Sequence, residues 1–221
     1  MSNAPRPSSR PRESSLRPRE EEVLVPLRGT SGNAIEPVTF IRSTQIAASV
    51  LALQSKGYFD RYIENLPARL HEEVLRSVPG TWLPLDVGVA HYRAAEALGL
   101  TAEQQFDMGG GVAERIQNGL LGTMVRMAKT AGVTPWMGLE YMPKLWRRTM
   151  IGGAVAIYRL GPKESRVECY GAPDFAELSY FRNAFRGMFA SSGALFCSKV
   201  YVHDLASFTI RGVIGFRVSW A

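Results

Sequence analysis

Apolar positions along residues 38–150 recur at intervals of three and four, the period of a helix with one face on a core. Ile46, Val50, Leu51 and Leu53 form the first such group. Tyr58 to Leu66 predicts a short second helix. Pro67 suits the first turn of a third, in which Leu70, Val74, Leu75 and Val78 share a face, and Pro79-Gly80 stops it. Trp82-Leu-Pro-Leu85 reads as a connector. Asp86 is placed to cap a helix through Leu98 that Gly99 closes, and Thr101, with Glu103 and Gln104 behind it, to start another. Gly109–Gly111 marks a kink or a close helix contact. Beyond it Ile116, Leu120, Met124 and Met127 line an amphipathic helix ending at Gly132, and a last helical piece holds Tyr141, Leu145 and Trp146.

The period then changes to two. Gly153–Leu160 and Ser165–Tyr170 are β-rich runs joined by the turn Gly161-Pro162-Lys163. Pro173-Asp174 opens a helix with Leu178, Phe181, Phe185, Met188 and Phe189 on one face, closed by Gly193. Leu195–Val202 predicts a third strand. Phe208, Ile210, Ile214, Phe216, Val218 and Trp220 predict a fourth, with Thr209, Arg211, Arg217 and Ser219 opposite. Helices first and strands after predict an α+β fold: an N-terminal helical layer followed by an antiparallel β-β-α-β-β unit.

Composition adds boundaries. Residues 1–22 are rich in Pro, Ser, Arg and Glu and poor in apolar groups, so residues 1–35 are expected to be a disordered N-terminal arm, with Val23–Leu27 able to dock as an extended piece. Residues 36–221 then form one α+β domain, helical over 38–150 and sheet over 151–221. No apolar run is long enough for a membrane span, and the N-terminus has no apolar signal region, which points to a cytoplasmic protein that does not engage membranes. Two cysteines, Cys169 and Cys197, both in expected strands, fit reduced thiols. The net charge of +6 divides into +2 over residues 1–35, −4 over 36–114 and +8 over 115–221. A basic C-terminal half could meet nucleic acid, but its charges are dispersed and no recognised module accompanies them, so nucleic acid is an unlikely partner.

No catalytic or metal-binding motif stands out, which leans the reading away from an enzyme and toward a protein with no cofactor. His71 lacks a second histidine four residues on. His91, on a helix among small residues, could serve as a ligand. His203-Asp204 sits at a strand end, where turn chemistry explains the acid. Gly109–Gly111 has neither the Gly-Lys-Ser/Thr nor the preceding strand of a phosphate-binding loop. The strongest candidate site is Trp136, Tyr141, Trp146, Arg147 and Arg148, where helices meet sheet. Aromatics with arginine can line an apolar pocket with a charged rim, or simply pack between layers.

The Trp82-Leu-Pro-Leu85 segment, the run LWRRTMIGGAVAIYRLGPKESRVECYG, the YFRNAFRG helix and the terminal strand ending Val-Ser-Trp resemble a paralogous family of myxobacterial proteins over about residues 40–221. At fold level the element order is similar to that of haem–nitric-oxide sensor domains, vinyl-reductase-type ligand domains and Golgi-transport tethering subunits. That resemblance places a haem-ligating histidine just before the sheet, where this chain has MPKLWRRTM. It also places a Tyr-x-Ser-x-Arg motif around Tyr170–Asp174, of which only the Tyr is kept. It therefore implies a member without haem: a non-enzymatic regulatory or sensory domain binding a small apolar or anionic ligand between helices and sheet. The alternatives are a homodimeric interaction module using Met124–Met127, or nucleic-acid binding through the basic half.

Overall fold

The computed structural model describes residues 21–29, 34–116 and 134–221. It opens with β1 (Glu22–Val25), within the segment expected to be an arm. β2 (Phe40–Arg42) leads into α1 (Ser43–Ser55), which buries Ile46, Val50 and Leu53 and turns Leu51 outward. α2 (Phe59–Asn65) is followed by a 3-10 turn (Ala68–Leu70), which starts immediately after Pro67, and by α3 (His71–Leu75). Leu70 and Val74 are buried there, whereas Leu75 and Val78 face solvent, so this helix is shorter than its apolar spacing suggests. β3 (Trp82–Pro84) takes the place of the expected connector and pairs with β2. α4 (Leu85–Glu96) starts one residue before Asp86, whose carboxylate accepts from the Val87 amide at 3.0 Å.

α5 (Ala102–Ile116) is capped reciprocally, as Thr101 and Gln104 predict. The Gln104 amide donates to Thr101 Oγ1 at 3.2 Å and the Thr101 amide donates to Gln104 Oε1 at 2.9 Å. α6 (Pro135–Glu140), α7 (Met142–Thr149) and β4 (Met150–Ile151) lead to the sheet half. The amphipathic run through Leu120, Met124 and Met127 lies outside the described residues.

The sheet half contains β5 (Ala154–Gly161), β6 (Glu164–Tyr170), α8 (Pro173–Glu177), α9 (Ser179–Gly193), β7 (Val200–Asp204), α10 (Ala206–Thr209) and β8 (Ile214–Trp220). Five strands form one antiparallel sheet in the order β1-β5-β6-β8-β7, and β3-β2-β4 form a smaller one within the helical half. The fold is α+β.

Two strands start later than the apolar pattern suggests. The third begins at Val200, because α9 and the turn after it run through Leu195 and Phe196. The fourth begins at Ile214. Gly212, at φ +67°, turns the chain just before it, and Ile210 is 90 % exposed. Phe208 folds back over Gly215, where a Cβ would come within 2.8 Å of its ring. Phe208 shares the parity of the strand but covers its outer face.

The core lies between the inner face of the large sheet and α9. Ile157, Val167, Ile214 and Phe216 are fully buried and alternate with outward residues. Phe185 and Phe189 each meet Phe216 at 5.7 Å between ring centres, and Phe181 stacks on Phe175 at 4.5 Å. Behind α9 lies α5, and the two backbones nearly touch. A Cβ on Gly109 would sit 1.6 Å from the Ala184 carbonyl oxygen, and one on Gly187 would sit 1.8 Å from that of Phe106. α5 runs unbroken through Gly109–Gly111. Gly109, with Gly187, serves this crossing, and none of the three marks a kink.

Candidate functional site

The five residues singled out from sequence do not converge on one pocket. Trp136, on α6, meets Trp220 edge to face at 4.6 Å, carries the Arg159 guanidinium 4.4 Å above its ring, and donates from Nε1 to the Pro162 carbonyl at 3.3 Å. It covers one end of the sheet. Tyr141, between α6 and α7, is half-buried with Lys144 Nζ 5.3 Å from its ring centre. Arg147 and Arg148 are exposed on the solvent side of α7, where Arg42 Nε donates to the Arg148 carbonyl at 3.2 Å. Trp146 alone points inward. It is buried, donates from Nε1 to the Gly152 carbonyl at 2.9 Å, and forms part of the wall of an interior cavity.

That cavity measures about 50 Å³. α1 contributes Ser49, α4 contributes Tyr92, and α5 contributes Met108 and Val112. Tyr180, Phe181 and Met188 come from α9, and Trp146 and Met150 close the side toward the sheet. Among the described residues that line it, no side chain is charged. A wider depression of about 640 Å³, floored by Gly110, Gly111 and Gly187, is open to solvent. Its side-chain polarity comes mainly from surface groups such as Lys56 and Glu114, which do not fix a ligand's orientation.

A buried polar chain reaches the interior cavity. Tyr62 Oη lies 2.7 Å from His91 Nδ1, and His91 Nε2 lies 2.9 Å from Ser49 Oγ. His91 and Tyr62 are fully buried. Burial pushes the imidazole down to about 3, so His91 is neutral and carries one N–H. Among the described residues Tyr62 has no acceptor other than Nδ1. Its proton therefore goes to Nδ1, and the imidazole proton sits on Nε2, donated to Ser49 Oγ. An Nε2–H cannot take the serine proton, so this trio does not have the proton arrangement of a nucleophile, a base and its orienter.

At the far end, the Tyr180 hydroxyl is buried and makes no hydrogen bond of ordinary geometry among the described residues. Burial raises its pKa, and nearby Ser49 partly opposes that. His91 carried a sequence signal, a histidine among small residues on an apolar helix. Ser49, Tyr62 and Tyr180 carried none, because each comes from a different helix.

On the opposite face of the sheet, β6 lines up Arg166, Glu168 and Tyr170 by its period of two. Glu168 is buried, accepting from Arg166 Nε at 2.6 Å and from the Tyr170 hydroxyl. Arg166 also grips Glu21 with both terminal nitrogens, one at 2.7 Å, and this holds the Glu21 carboxyl below its ordinary range. Arg159 pairs with Glu22 at 3.1 Å, Arg182 with Asp204 at 3.1 Å, and Arg217 with Glu164. Arg159 and Arg166 thus reach acids from outside the basic C-terminal half, and Arg182 and Arg217 reach acids within it. Among the described residues no three His, Cys, Asp or Glu side chains are placed to hold a metal ion, and no helix is long and apolar enough to cross a membrane.

No protein-family model matches the chain, and no curated protein does. Two solved structures share its architecture. One is a protein whose haem redox potential is modulated through protein-induced porphyrin distortion, with 14% identity, 81% of this chain and 100% of that chain covered, and a TM-score of 0.53. The other is the Fe(II) unliganded H-NOX protein from K. algicida, with 8% identity, 82% and 97% covered, and a TM-score of 0.57. This chain shares the fold of these two proteins.

The haem associated with that fold does not fit these residues. The cavity of about 50 Å³ is far below the ~300–1,000 Å³ that even a drug-sized ligand occupies. α7 contains no histidine. His91 has both nitrogens engaged, His71 Nε2 is 3.0 Å from the Leu66 carbonyl, and His203 is exposed on β7.

Proposed function

We propose that this domain is a sensory or regulatory module that binds a small molecule, without haem, in the cavity between α1, α4, α5, α7 and α9. The observation that carries the reading is the cavity itself. It lies between the helices and is partly open at one side, is largely apolar, has no charged side chain among its described lining residues, and is bounded by Trp146 and Met150 at the point where the helical half joins the sheet. Its fold is that of proteins described as haem-containing or Fe(II) H-NOX, which supports a ligand-centred role at the level of architecture. The neutral, Nε2-protonated His91 supports a binding role over a catalytic one. A guest in the cavity touches Trp146, and α7 continues directly into β4 and β5, so occupancy has a short mechanical route to the sheet.

Xenon, a single apolar atom, tests the reading. Met108 and Met188 line the cavity, whereas Met137 is 52% exposed on α6. With methionine methyl groups isotopically labelled, xenon is expected to shift the Met108 and Met188 signals saturably and leave Met137 in place. Uniform, non-saturating shifts would show that no guest enters.

A further inference from the structure

Resting on that ligand-binding reading, we infer that the cavity takes a neutral molecule of about two to four heavy atoms bearing one hydrogen-bond acceptor, and that Tyr180 is the residue that recognises it. Size follows from volume. An apolar cavity of about 150 Å³ holds benzene, and this one, at about 50 Å³, has a third of that room. Neutrality follows from the described wall, in which no residue offers a charged group to compensate an ion.

The acceptor follows from the hydrogens left over. Gln45, on the wall's half-buried side, can meet solvent with its amide, Trp146 spends its N–H on the Gly152 carbonyl, and Thr149 spends its hydroxyl on the carbonyls of Leu145 and Trp146. Along the buried chain, Tyr62 donates to His91 and His91 donates to Ser49, so each link passes a hydrogen toward the cavity. Ser49 accepts from Nε2–H and keeps its own hydrogen. Beside it the Tyr180 hydroxyl is 1% exposed, and among the described residues its own hydrogen meets no acceptor in ordinary geometry, with Ser49 near enough on the other side to donate to its oxygen. Buried hydroxyls are nearly always bonded to something. A polar chain that ends on an unspent O–H in a small apolar chamber calls for an acceptor atom: a nitrile nitrogen, a carbonyl or an ether oxygen.

Acetonitrile and propyne separate the two claims. They share shape and heavy-atom count, but only acetonitrile brings a good acceptor. Both are titrated into the full chain with labelled methionine methyls, in the native sequence and in Tyr180→Phe, using the Met108 and Met188 signals for affinity and Met137 as a check on folding. The expected result is that Tyr180→Phe weakens acetonitrile by roughly three- to tenfold, the worth of one neutral hydrogen bond, and leaves propyne within about twofold. If both probes bind and the substitution changes neither, or both alike, Tyr180 does not read an acceptor, although the cavity is a ligand site. If neither probe binds the native protein, the ligand-binding reading itself falls.

Discussion

Three consecutive glycines in α5 have very different surroundings, and substituting each by alanine measures how the two central helices meet. A Cβ at Gly109 would lie 1.6 Å from the Ala184 carbonyl oxygen, which is backbone and cannot swing away. Restoring an ordinary contact of 3.4 Å requires α5 and α9 to part by about 1.8 Å at that point. A gap of ~0.5–1 Å already forfeits a quarter to a half of each dispersion contact across it, so the whole interface loosens.

Set against a gain of ~1 kcal/mol in helix propensity, Gly109→Ala is expected to cost about 3–5 kcal/mol net. At Gly110 a Cβ meets nothing within 4 Å, and the same substitution is expected to stabilise by ~0.5–1 kcal/mol. At Gly111 the nearest atom is the Ala52 Cβ at 3.9 Å, so a gain is expected there too. At roughly 2–4 °C per kcal/mol for a chain of this size, Gly109→Ala should lower the melting temperature by ~6–20 °C while its neighbours raise it slightly. Scanning calorimetry or circular dichroism melts of the three variants decide the matter. Equal effects at all three positions would refute the close crossing.

His91 is neutral in the fold because burial depresses its pKa to about 3, against an ordinary 6.5. The unfolded chain takes up a proton as pH falls below 6.5 and the folded one does not, so stability is full above that value and lost toward pH 3. Between pH 7 and pH 5 the loss is ~2 kcal/mol by linkage; urea titrations at the two pH values measure it, and His91→Gln should remove that part of the slope. Tyr180→Phe deletes a hydroxyl that makes no hydrogen bond of ordinary geometry among the described residues, and is expected to leave stability unchanged or raise it by up to ~1 kcal/mol; a loss of that size in the same titration would mean that the hydroxyl is bonded after all. Ser43 is fully buried, and its Oγ donates to the Val78 carbonyl at 2.9 Å while accepting from the Gly80 and Thr81 amides at 3.0 and 3.1 Å. Ser43→Ala strands those groups and is expected to cost ~2–3 kcal/mol by denaturant unfolding, with the Gly80 and Thr81 amides exchanging faster; a neutral effect would contradict the clamp.

Where one local pattern decides the outcome, the sequence was informative. The period of two places β5, β6 and most of β8, the Phe181–Phe185–Phe189 face places α9 on the sheet, and Thr101 with Gln104 marks the start of α5. Where tertiary contacts decide, it was not. Phe208 keeps strand parity but turns over Gly215 because Gly212 reverses the chain. Trp82–Pro84 is too short to read as a strand until β2 lies beside it. β1 sits at the end of a stretch too polar to announce order, and its Glu21 and Glu22 are held by arginines far along the chain.

The same division runs through the site. Trp146 was legible from its place at the junction. Its neighbours Arg147 and Arg148 were not separable from it by composition, although successive positions on a helix point about 100° apart and only one of the three faces the interior. The chain from Tyr62 through His91 to Ser49 joins three helices, and no spacing in the sequence foretells it.

Occupation of the space between Trp146, Met108 and Tyr180 by a small guest, without haem, is tested most directly by a crystal structure of the protein pressurised with xenon. An anomalous peak is expected inside that cavity, within contact of the Trp146 ring and the Met108 sulfur, with Trp146 still bonded to Gly152. A cavity filled by side chains, or xenon found only at the surface, would contradict it.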